Sequence, residues 1–182
     1  MSGPRSILIQ LYRVARFGLF LFEASEPRQT PMKVDEKLRE EVANAVTRHG
    51  AHVIDVVLRG DHRKPVLEVF IDAENPVTIE QCTQISRDLS GVIDGAQILA
   101  GTYRLEVSSP GIERPLQHAW QYPKHVGRRV QVSVRRPEGT LKLVGVLTAA
   151  DAGGVTVSPG PGKEPVHVAF ADVREALVLP PW

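Results

Sequence analysis

The sequence predicts an α+β protein of two units, a helix-covered sheet followed by a small all-β unit, on three observations. Apolar residues recur at helical spacing in two segments, and they alternate with polar residues in three segments between and after these. Beyond residue 117 the pattern changes to short strand-like pieces separated by turns rich in Pro, Gly and Asp. With 182 residues, 42% hydrophobic and 24% charged, the chain has a globular composition and the length of one medium domain or two small ones.

From Met32 onward, Val34, Leu38, Val42 and Val46, with Ala45 beside them, share one helical face, while Asp35, Glu36, Arg39 and Glu40 lie on others. Arg48, His49 and Gly50 supply the polar last turn and the left-handed cap that end this helix. In AHVIDVVLR the residues Ile54, Val56 and Leu58 form one face of a strand. VLEVFID places Leu67, Val69 and Ile71 against Glu68 and Asp72, and GDHRKP joins the two strands as a hairpin loop. After the Asn75-Pro76 break, Thr78 and Gln81 have capping-box spacing, and Ile79, Cys82, Ile85, Leu89 and Val92 are the expected buried face of a second helix. TYRLEVS closes the unit, with Tyr103, Leu105 and Val107 on one face and Arg104 and Glu106 on the other. The order α-β-β-α-β buries every apolar face when two helices stack on one side of a small sheet.

RVQVSV, LKLVGVL, VTVS, VHVAF and EALVL are the strand-like pieces of the second unit. Short, closely spaced strands in so small a unit favour an SH3-like or Sm-like β-barrel, because closure removes exposed edges. The expected boundaries are therefore an N-terminal α/β domain over 32–117 and a barrel over 118–182. Residues 1–31 form an N-terminal extension, expected to be disordered or to lie upstream of the natural start. Its hydrophobic run, Ile7 to Phe22, is interrupted by Arg13 and Arg16, which disfavours both a membrane span and a signal peptide.

Formal charge is +1 overall but uneven. Lys and Arg number 10 against 14 Asp and Glu over 32–117, and 8 against 5 over 118–182, an asymmetry that suggests two units facing different partners and that plainly solvated surfaces also produce. Cys82 is the only cysteine and reads as a core residue; no intramolecular disulfide can form, which suits the cytoplasm. The six histidines have no metal-binding spacing, and neither metal nor cofactor is expected.

TYRLEVSSPGIERPL holds a serine pair before a Pro-Gly turn. Ser108 or Ser109 as a nucleophile would need a base and an oxyanion site, but SSPG is not the GxSxG elbow and nothing local supplies the base. Phosphate-binding GxxxxGK[ST] and GxGxxG loops are missing, and no enzyme is expected. Arg128, Arg129, Arg135, Arg136 and Lys142 flank predicted strands and suit contact with phosphates, although stacking aromatics do not alternate with them. The first unit resembles a KH domain in its order of elements. Its SGVIDG, however, separates Gly91 and Gly95 by one residue too many for the GxxG loop.

YRLEVSSPGIERPL resembles the signature of the bacterial ribosome maturation factor RimP family, and the resemblance extends over most of 32–182 to the closing DVREALVLP. It implies a non-enzymatic factor in cytoplasmic assembly of the small (30S) ribosomal subunit. Partners would be small-subunit rRNA and ribosomal proteins, with small-subunit ribosomal protein twelve docking on the barrel. Ser108, Ser109, Pro110, Gly111, Arg114 and Pro115 would form an interdomain junction that also offers a binding surface. Arg128, Arg129, Arg135, Arg136 and Lys142 would meet rRNA or ribosomal protein. An Sm-like or KH-like module acting on non-ribosomal RNA is the alternative.

Overall fold

The computed structural model describes residues 33–60, 65–99, 101–112 and 114–181; the expectations for 1–31 and for most of the GDHRKP loop lie outside them. The described chain divides into two compact units. One runs through Asp72 and over Val77–Ser109, and the other comprises Ala73–Pro76 and the chain from Pro110.

The first unit opens with α1 (Glu36–Arg48), which buries Leu38, Val42, Ala45 and Val46. Lys33 to Asp35 are not helical, so the helix starts later than the pattern from Met32 suggests, with Asp35 in the extended cap position. It ends as expected, on His49 and on Gly50 at φ 67, a left-handed conformation that glycine adopts without steric cost. The strand β1 (His52–Arg59) pairs antiparallel with β2 (Val66–Asp72), and β3 (Arg104–Ser108) pairs parallel with β2. A parallel neighbour needs a crossover, and α2 (Ile79–Gly95) supplies it. The sheet order is β1-β2-β3. Leu58, Leu67 and Leu105 form one cross-strand row, and Val56, Val69 and Val107 the next.

The face assigned to α2 is corrected by rotation. Ile79 is 56% exposed and Val92 only half-buried, whereas Ile85, Ser86, Leu89 and Ile93 are buried. The i, i+4 step from Leu89 leads to Ile93, and Ile79 sits in the first turn, beyond the reach of the core. Half of the expected capping box forms. Thr78 Oγ1 accepts from the Gln81 amide at 3.1 Å, but the Gln81 side chain donates instead to the His49 carbonyl at 2.9 Å, tying α2 to the end of α1. Cys82 is half-buried, and burial raises its thiol, which therefore stays protonated and poorly nucleophilic at neutral pH.

A second tie joins the helices. Asp88 accepts from Arg48 at 3.0 Å and lies 3.2 Å from His49 Nε2. Chiefly through the Arg48 hydrogen bond, its carboxyl is held below the ordinary value of 3.8. A depressed carboxylate contributes stability above its unfolded pKa and loses it as pH falls through the folded one. Asp88→Asn is therefore expected to lower Tm at neutral pH, with the gap from the parent closing as pH falls through the lowered pKa of the folded carboxyl, which lies below 3.8. A gap that stayed constant across a thermal melt series from pH 7 to 2 would contradict this account.

The second unit contains β4 (Arg129–Arg136), β5 (Gly139–Ala150), β6 (Gly154–Ser158), β7 (Val166–Ala169) and β8 (Val173–Val178). All ladders are antiparallel, in the order β7-β6-β5-β4-β8. The five strands form one antiparallel sheet, and among the described residues no ladder joins its two end strands, β7 and β8. Val130, Val132 and Val134 of β4 join Leu147, Val155, Val157, Val168, Ala176, Val178 and Tyr122 in one core.

β5 pairs β4 over Gly139–Val146 and β6 from Val146 onward, so it changes partner near Gly145. A Cβ on Gly145 would lie 2.2 Å from the Ser158 carbonyl oxygen, which explains a glycine within an otherwise apolar strand. Between β5 and β6, Asp151 accepts from the amides of Gly153 at 2.7 Å and Gly154 at 3.0 Å. These bonds fix the turn and hold the carboxyl below its usual range.

Candidate nucleic-acid interface

In the second unit, alternation along β4 points Val130, Val132 and Val134 into the core and leaves Arg129, Gln131, Ser133 and Arg135 on the opposite face. Lys142 pairs with Ser133 and joins that face, together with Val144 opposite Gln131 and Val146 opposite Arg129. Val144 and Val146 are each 38% exposed, and Arg129, Arg135 and Lys142 are exposed as well. The sheet thus presents cations in register with small apolar side chains. Arg128 and Arg136, also exposed, stand just before and at the end of β4. One carboxylate intrudes, since Glu175 on β8 pairs with Ser133 from the other side.

The junction signature is divided between the units. Ser108 ends β3 opposite Phe70, and Ser108 and Ser109 both belong to the first unit. Pro110, Gly111, Arg114 and Pro115 belong to the second, where Gly111 has φ 67 and Arg114 is half-buried. Ile112 and Leu116 pack on the second core, and the Leu116 amide donates to the Ala176 carbonyl at 2.8 Å. The SSPG glycine therefore makes a left-handed turn, and the residues after it are seated by packing.

Two features were not legible in the sequence. On the first unit's sheet, Glu68 and Glu106 stand directly opposite each other, an unfavourable pairing of like charges. Arg59 offsets it, 3.0 Å from Glu68 and 3.7 Å from Glu106, as does Arg104 at 2.8 Å from Glu106. These four residues come from three separated strands, so no local spacing announces them.

The other feature is a cleft of about 340 Å³ in the second unit, bounded by Pro115–Ala119, Tyr122, Phe170 and the Val173–Glu175 stretch of β8. Tyr122 and Phe170 meet with ring centroids 5.1 Å apart at 57°. His118 stacks on Trp120 at 5.6 Å and 8°, and the Lys124 ammonium lies 5.5 Å from the Trp120 ring. Buried Gln121 fixes the entering chain, its Oε1 accepting from the Gln117 amide at 2.8 Å and the His118 amide at 2.9 Å. Burial pushes the Tyr122 hydroxyl up to about 12, so it remains a neutral phenol. The only hint in sequence is the run HAWQY.

A helix-backed sheet whose parallel pair is joined by α2, followed by a five-stranded antiparallel sheet bearing cations, defines an α+β protein of two packed units. Residues 41–113, from within α1 to just past β3, match the family model of the RimP N-terminal domain. Over this stretch the chain is similar to the RimP N-terminal domain. The KH-like glycines have no loop role here, because Gly91 and Gly95 both lie within α2. No helix among the described residues is long and apolar enough to cross a membrane.

Proposed function

We propose that the chain is a maturation factor for the small (30S) ribosomal subunit, acting in the cytoplasm by binding the pre-subunit rather than by making or breaking bonds. The observation that carries this reading is the match of residues 41–113 to the RimP N-terminal domain. Binding that favours one conformation of maturing rRNA needs only differential affinity for two states. The two units are its two docking domains, and the stretch from Ser108 to Pro115 is the junction between them.

The second unit is read as an SH3-like barrel. Inner residues of all five strands share one core, and a single sheet whose unit holds no α-helix among the described residues buries that face by coiling on itself. Its Arg128, Arg129, Arg135, Arg136 and Lys142 are assigned to rRNA phosphates, and small-subunit ribosomal protein twelve to the same unit. Val144 and Val146 among these cations support a contact that is partly apolar.

Sedimentation tests this directly. The protein should travel with small-subunit precursors at low salt and be released as salt rises, and Arg135→Glu with Lys142→Glu should release it at lower salt. A protein found only at the top of the gradient at every salt concentration would refute the reading. Crosslinking to dispersed transcripts rather than precursor rRNA would favour the non-ribosomal RNA module.

A further inference from the structure

We propose that the cleft between Pro115–Ala119 and β8 is a subsite for one unpaired RNA base, a role that rests on the RNA contact proposed above and assigns it a place. His118, stacked on Trp120 through one face, is exposed and Phe170 is half-buried, with Tyr122 buried in the core behind them and exposed Arg174 beside them. Flat rings and a guanidinium plane accept a base of any identity by stacking. Its volume, about 340 Å³, falls at the small end of the range for ligand pockets, as one base requires.

The surroundings favour a polyanion. β8 pairs Glu175 with Ser133 and Val173 with Val134, which leaves Arg174 as the extra residue of a bulge beside β4. Arg135 follows Val134 directly, and Lys142 lies in the Ser133 row, so exposed Arg135, Lys142 and Arg174 gather at one end of the sheet. Glu175 is the one carboxylate lining the cleft, and it can accept from an exocyclic amine.

A peptide adding as a further strand fits less well. β8 is an edge strand, but the Ala176 carbonyl is already taken by the Leu116 amide at 2.8 Å, so the chain's own link occupies the edge where a new strand would pair.

The test uses the full chain and two RNA decamers, one alternating uridine and 2-aminopurine, the other the same backbone without bases. The parent should quench 2-aminopurine fluorescence and bind the abasic strand about tenfold more weakly. The double variant His118→Ala, Arg174→Ala changes two exposed side chains; it should lose the quenching and bind both strands alike. A more conservative variant, Phe170→Leu, keeps an apolar side chain against the core and should reduce quenching in the same direction. Equal binding of both strands by the parent overturns the subsite while the RNA reading stands, as does full quenching by the double variant when Arg135→Glu, Lys142→Glu abolishes binding. Failure of the parent to bind either strand defeats both. A photocrosslinker at position 118 that captures only protein in precursor particles also overturns the subsite.

Discussion

Gly145→Ala is expected to destabilise the second unit by about 3 kcal/mol, at the upper end of what overpacking costs. The added methyl would sit 2.2 Å from the Ser158 carbonyl oxygen and 2.7 Å from its carbon, both backbone atoms that no rotamer change can move aside. Relief requires β6 to withdraw from β5 at the point where their ladder begins, Val146 opposite Ser158. Urea unfolding followed by Trp120 fluorescence reads this unit, and the midpoint should fall sharply. Gly91→Ala serves as the contrast, because it lies in α2 with nothing within 4 Å of the added Cβ, and it should stabilise by about 0.5–1 kcal/mol. Equal effects of the two substitutions would refute the steric account.

Leu67→Ala is expected to cost about 3.5 kcal/mol in the first unit, within the range for truncating a fully buried leucine. Leu67 is 0% exposed on the central strand, flanked in register by Leu58 and Leu105. Collapse around the void would have to draw in both neighbouring strands, so most of the cavity should persist. Far-UV circular dichroism is the suitable probe, since both long helices belong to this unit. Leu67→Met, which nearly conserves volume, should cost less than about 1.5 kcal/mol. Comparable losses for the two variants would show that shape, not volume, governs the site.

What was legible in the sequence is what repeats locally. Leu38, Val42 and Val46 announce α1, Gly50 ends it, and Leu67, Val69 and Ile71 mark β2, because each signal lies within one element. The rotation of α2 is not legible in the sequence because Ile79 and Val92 satisfy the helical period as well as Ile93 does; only the position of the sheet selects among them. The strand order of the second sheet, β7-β6-β5-β4-β8, is likewise a property of pairing between distant strands. The exposed cations were visible as residue types, but that Arg129, Arg135 and Lys142 share a face depends on the β4/β5 register. The aromatic cleft was hidden for the same reason. His118 and Tyr122 lie far along the chain from Phe170 and Arg174, and only the fold brings them to one place.

The parallel partnership of β2 and β3 has a kinetic consequence. Because α2 intervenes, Leu67 cannot meet Leu105 through a tight turn, and the entropy of closing a long loop is lost before that row of contacts compensates. The hairpin of β1 and β2 can form early, but until β3 arrives one side of β2 offers unpaired amides and carbonyls to any passing chain. Slow acquisition of this last pairing, with aggregation rising steeply at high protein concentration, is the refolding behaviour to expect of the first unit.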